Sequence, residues 1–169
     1  PDGKWIAFFS QGKLKRIVIE GKSVEIICDA PNGRGGTWGP DGTILFTPDV
    51  FTGLYKVPAT GGTPTELTKL DPSRPESSHR WPVFLPDGRH FLFLGANFSG
   101  NSEVNAIQVG SLDSPKLKVI MPASSNAAYA VPGYLVYEKD GALVAQKFDL
   151  KTLAVTGEPR LVVREVRYW

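Results

Sequence analysis

The tripeptide Pro-Asp-Gly occurs at Pro1-Asp2-Gly3, Pro40-Asp41-Gly42 and Pro86-Asp87-Gly88, and a worn copy stands at Pro132-Gly133. The copies are 39, 46 and 46 residues apart. Each precedes an apolar run: Trp5-Ile6-Ala7-Phe8-Phe9, Thr43-Ile44-Leu45-Phe46, His90-Phe91-Leu92-Phe93-Leu94 and Tyr134-Leu135-Val136-Tyr137. Proline fixes φ, aspartate bonds back to nearby N–H groups and glycine takes a positive φ, so the tripeptide reads as a hairpin turn. A hairpin repeated at a near-constant period restricts the possible folds more than any other feature of the chain.

Two further strand-like runs follow in every unit. Lys13 to Glu20 turns at Gly21-Lys22 into Ser23 to Cys28. Gly53 to Val57 turns at Ala59-Thr60-Gly61-Gly62 into Thr65 to Thr68. Val104 to Val109 is followed by Leu117 to Met121, and Ala142 to Phe148 by a long turn through Gly157-Glu158-Pro159 into Leu161-Val162-Val163. Helical periodicity is absent, and 18 Gly and 14 Pro among 169 residues argue against long helices. A β-sandwich also has short strands, but no fixed turn at this period. The pattern predicts an all-β chain, a β-propeller with four blades of four antiparallel strands. The units are 1–30 plus 164–169, 31–76, 77–123 and 124–163, within one domain spanning 1–169.

The repeat is cut one strand out of phase. The chain starts at a turn between a blade's first two strands and finishes with Glu165-Val166-Arg167-Tyr168-Trp169, which resembles the inner-strand run Gly35-Gly36-Thr37-Trp38. From Pro132 through Trp169 is 38 residues, close to the first interval. An open array would leave sheet edges and apolar blade faces in water. Closure by strand exchange is therefore expected, as a four-bladed ring, as an eight-bladed ring of two chains, or within a longer propeller of which this is a piece.

Trp38-Gly39-Pro40-Asp41-Gly42 with Ile44-Leu45-Phe46, and Gly61-Gly62-Thr63-Pro64 before Leu67-Thr68, resemble the TolB-type, WD-like propeller repeat. Ser78-His79-Arg80-Trp81-Pro82 with Leu85-Pro86-Asp87-Gly88-Arg89-His90 is similar to the propeller region that follows bacterial serine/threonine kinase domains. So is the block from Leu135 through Phe148-Asp149 to Gly157-Glu158-Pro159. The resemblance implies a sensor or protein-interaction propeller, with an extracytoplasmic setting slightly favoured, and no catalytic residues. The alternative is the propeller part of a prolyl-oligopeptidase-type peptidase without its catalytic domain.

Charge and motifs point the same way. A net charge of +2 gives no electrostatic footprint for nucleic acid. The apolar run Phe91 to Ala96 is far short of a membrane span, and no secretion leader is read before Pro1. The single cysteine, Cys28, forms no internal disulfide and reads as a buried small hydrophobe. Asp2, Asp41 and Asp87 each serve their own turn. His79 and His90 lack cysteines or carboxylates at metal-ligand spacing, so no metal and no cofactor is expected. Gly33-Arg34-Gly35-Gly36-Thr37-Trp38 leads into a strand rather than a helix and has no helix N-terminus to hold phosphate. Ser23 and Ser99 lack a nucleophile elbow.

The candidate ligand site lies just before the inner strands, where loops gather at one mouth of the axial channel. Arg34 aligns with Arg80, and Asn126 and Glu165 (or Arg164) take the equivalent places in the other units. His79 stands beside them as either scaffold or ligand contact. Guanidinium forks grip carboxylates bidentately, so this set would bind an anionic group or a peptide end. A non-catalytic interaction or ligand-sensing module that binds a protein, peptide or small ligand at this mouth is expected, with a protein or peptide the expected partner and a homodimer completing the ring as a further option.

Overall fold

The structure is a computed structural model and describes residues 1–98, 100 and 104–166. Its strands form four antiparallel sheets in chain order, with no α-helix among the described residues. Sheet 1 holds β1 (Trp5–Ser10), β2 (Lys13–Val18) and β3 (Val24–Asp29). Sheet 2 holds β4 (Gly36–Trp38), β5 (Thr43–Phe46), β6 (Tyr55–Pro58) and β7 (Thr65–Glu66). Sheet 3 runs from β8 (Ser78–Phe84) through β9 (His90–Ala96) and β10 (Ala106–Ser111) to β11 (Ser114–Pro122). Sheet 4 comprises β12 (Ala127–Ala130), β13 (Tyr134–Lys139), β14 (Ala142–Asp149) and β15 (Ala154–Val163). Within each sheet the strands pair in the order in which the chain makes them, so every connection is a hairpin.

The Pro-Asp-Gly turns work as the residue types dictate. Asp2 accepts from the Lys4 N–H at 3.0 Å, Asp41 from Thr43 N–H at 2.9 Å, and Asp87 from both Arg89 and His90 N–H at 2.9 Å. Gly3, Gly42 and Gly88 follow with φ of 70°, 86° and 65°, a region that an L side chain enters only with strain. In the fourth unit Gly133 turns the chain without an aspartate, its N–H bonded to Ala130 O at 3.1 Å.

Successive sheets pack face to face, and strand alternation decides which residue goes where. From β5, Ile44 and Phe46 join Leu14, Ile27 and Cys28 between sheets 1 and 2. The intervening Leu45 points the other way, to Leu54, Phe91 and Phe93 between sheets 2 and 3. From β9, Leu92 and Leu94 meet Leu135, Tyr137 and Phe148 between sheets 3 and 4. The two inner sheets are thus apolar on both faces, which is why their central strands read as unbroken hydrophobic runs. Each such side chain contributes about 1.5–3 kcal/mol relative to exposure. Burial pushes the Cys28 thiol up to about 11, as befits a packed apolar residue.

The outer sheets each have one face inside. On sheet 1, Ile6, Val24 and Ile26 remain 51%, 49% and 63% exposed, and on sheet 4 Leu161, Val162 and Val163 lie in solvent. Among the described residues no buried cluster joins sheet 4 to sheet 1.

Two details differ from expectation. The stretch Gly157-Glu158-Pro159 is not a long turn. It is a bulge within a continuous β15, between the pairs Ala145↔Arg160 and Lys147↔Thr156. The strand expected at Glu165 to Trp169 is not seen at Glu165 and Val166, where Glu165 adopts φ 58° and the Val166 N–H bonds to Gly141 O at 2.7 Å. Arg167 to Trp169 lie outside the described residues. Among the described residues sheet 1 shows three strands.

Candidate functional site

Loops from the first three sheets meet at one end of the array. The Asn32 N–H bonds to Pro48 O at 3.1 Å, its side-chain amide to Asp49 Oδ1 at 2.9 Å, and Arg34 N–H to Thr47 O at 3.0 Å. From the other side, His79 N–H reaches Thr52 O at 3.0 Å, and the Thr47 hydroxyl donates to His79 O at 2.7 Å. The 47–52 connection is therefore clamped on both flanks by main-chain and side-chain bonds. Bonds from Val50 N–H and the Asn32 amide, with the Arg34 charge, hold the Asp49 carboxyl below its usual range although burial opposes them.

Arg80 and Trp81 occupy an irregular step in β8, where register with β9 shifts between Arg80 and Val83. Trp81 has φ 51°, uncommon for a bulky residue. Its N–H bonds to Arg34 O at 3.1 Å, and its ring covers Gly35, where a Cβ would stand only 2.6 Å away. The Arg80 guanidinium bonds to Ser78 Oγ at 3.0 Å and Val50 O at 3.2 Å, and lies 3.5 Å from the Phe98 ring centroid. Trp81 meets Phe98 edge-on at 6.3 Å. The surface that results carries Arg34, Phe51 and Phe98 exposed above a fixed Arg80–Trp81 base.

His79 is fully buried and packs on Phe93 at 4.6 Å. Thr68 Oγ1 lies 2.7 Å from His79 Nδ1, Glu76 Oε1 3.1 Å from His79 Nε2, and Gln108 Nε2 donates to Glu76 Oε2 at 2.7 Å. Glu76 also accepts from Asp71 N–H, and Thr68 Oγ1 from Leu54 N–H at 2.8 Å. Burial alone raises the Glu76 pKa, yet the hydrogen bond and charge of His79, with the Asp71 and Gln108 donors, carry it down to about 2. An ionised Glu76 requires a proton on Nε2, and Nδ1 is hydrogen-bonded to the Thr68 hydroxyl. The order hydroxyl, imidazole, carboxylate copies a nucleophilic relay, but Thr68 is buried and its oxygen is already engaged. This group ties sheet 2 to sheet 3.

Of the residues singled out by sequence, Arg34 and Arg80 come together around the 47–52 loop. His79 lies beneath that surface. Asn126 stands half-buried before β12, its carbonyl accepting from Ser125 Oγ at 3.0 Å, and Glu165 lies exposed after β15 beside Asp140 and Gly141. His90 is partly exposed and bonded to Asp87 at 2.5 Å. Among the described residues no cluster of three or more His, Cys, Asp or Glu side chains could hold a metal ion.

Superposition on solved structures decides the architecture. A putative TolB from Agrobacterium tumefaciens matches over 91% of this chain and 57% of its own, with a TM-score of 0.70 and 23% identity. The fold is a TolB-like β-propeller. A calcium-binding protein, regucalcin, from the same species matches the propeller over 94% of the chain and 55% of its own, with a TM-score of 0.69 and 15% identity. By sequence, the propeller is 31% identical over 107 residues to an uncharacterised protein of Agrobacterium fabrum, 56% of this chain and 33% of that protein. The chain thus spans about a third of the curated relative and a little over half of these structures. No family model matches the sequence.

Sequence reasoning missed Asn32, Asp49 and Phe98. Asp49 sits one residue after a Pro in the connection following a central strand. Repeat alignment treats that connection as variable, so it gave no signal.

Proposed function

We propose that this propeller is a non-catalytic interaction module that binds a protein or peptide on the end where the 31–35, 47–52 and 77–82 segments meet. The observation that carries the reading is the fixed Arg80–Trp81 base with its positive-φ tryptophan, on which Arg34, Phe51 and Phe98 are displayed. Arginine and aromatic side chains on a rigid framework lose little freedom on binding and dominate recognition surfaces. Strain kept at such a position fits a pre-organised contact. The uncovered faces of sheets 1 and 4 fit a sector completed by further sheets of the same kind.

Panning a random dodecapeptide library on the immobilised chain tests the reading. Selected peptides should bind the Arg34→Glu/Phe51→Ser double variant at least about tenfold more weakly, with its thermal unfolding unchanged, since two contact residues of this type are worth about 1.4 kcal/mol or more. Peptides that bind wild type and variant alike, or no selected peptides at all, would reject it.

A further inference from the structure

Between sheets 3 and 4 lies a second feature, which neither the loop surface nor the His79 group uses. An open cleft of about 570 Å³ separates the end of β11 from β13, β14 and β15. That volume lies within the usual range for a ligand site. Its floor is apolar, formed by buried Met121 and the Tyr137 ring with half-buried Val155.

One wall is built around the β15 bulge. Gln146, on β14, faces the three residues of the bulge and donates its amide to Gly157 O at 2.6 Å. The Tyr137 hydroxyl donates in turn to Gln146 Oε1 at 2.9 Å. This chain fixes the bulge against the floor, and Glu158 is carried at the cleft edge. Burial and the Glu158 charge both raise the Tyr137 pKa.

The edge is acidic in a chain whose net charge is +2. Glu138, Asp140 and Glu158 line it, against the single cation Lys139. Glu138 is held by Ser124 Oγ at 3.0 Å and Gly141 N–H at 2.6 Å. Asp140 and Glu158 form no ion pair among the described residues. An apolar floor under an edge of three carboxylates and one cation complements an alkyl arm ending in a cation.

We infer that this cleft receives the arginine or lysine side chain of a bound peptide, its methylenes on Met121 and Tyr137 and its charge at Glu158 and Asp140. The cleft is open to solvent along the sheet boundary, so a main chain can remain outside while one side chain enters. This deepens the interaction reading and rests on it, but concerns a different surface from the Arg34–Phe98 face.

Met121 is the only methionine, so the full chain labelled with ¹³C-methyl methionine gives a single reporter on the cleft floor. The probes are acetyl-Gly-Arg-Leu-amide, its citrulline counterpart and spermidine. The expected result is a saturable shift of the Met121 signal by the arginine peptide, weakened at least fivefold by citrulline and by Glu158→Gln. An unmoved signal, equal response to citrulline, or a response to spermidine alone would overturn the inference. The Arg34→Glu/Phe51→Ser variant should keep the Met121 response, so failure at one surface is distinguishable from failure at the other.

Discussion

Glu76 shows how one side chain joins packing to pH dependence. It is almost wholly buried, yet its charge is met by His79, Gln108 and the Asp71 N–H, with Arg74 Nε at 3.4 Å. Its folded pKa of about 2 lies below the ordinary 4.5. The stability it contributes is therefore complete above pH 4.5 and lost as pH falls toward 2. Urea unfolding across that window should show the wild type losing on the order of 3 kcal/mol more than Glu76→Gln. Parallel acid limbs for the two proteins would show that Glu76 carries no such linkage. The sequence marked His79 but not its partners, because Thr68, Glu76 and Gln108 come from three separate segments that only the packing of sheet 2 on sheet 3 brings together.

At the scale of the element, the Pro-Asp-Gly hairpins differ in how much each aspartate does. Asp41 accepts one main-chain N–H, whereas Asp87 accepts two and also binds the His90 ring. Asp87→Ala should consequently cost more than Asp41→Ala, by about 1 kcal/mol on an expected loss of about 1 kcal/mol for Asp41 itself. Equal midpoints in denaturant would contradict this ranking. These turns were legible because the chemistry is local: φ, one carboxylate and one glycine within three residues. The β15 bulge was not, since Gly157-Glu158-Pro159 reads as a turn until the pairing of Gln146 across the sheet is known. The positive φ of Trp81 was hidden for the same reason, as it depends on Gly35 leaving room for the indole.

For the whole molecule, repeat period and alternation were enough to give four antiparallel sheets. How the outer faces are covered was not readable, because the repeat period fits a four-bladed ring, an eight-bladed ring of two chains and a longer propeller alike. Ile6, Val24 and Ile26 on one side and Leu161 to Val163 on the other form apolar surface of the kind that soluble domains seldom leave in water. Cover by a second copy is the expected outcome when the chain is alone in solution. The direct test is light scattering on the folded, purified chain of 18.4 kDa. A mass of at least two chains is predicted, falling to one in the Ile26→Lys/Val163→Lys variant. A wild-type protein that stays folded at a single chain mass would contradict the expectation that these outer faces are covered.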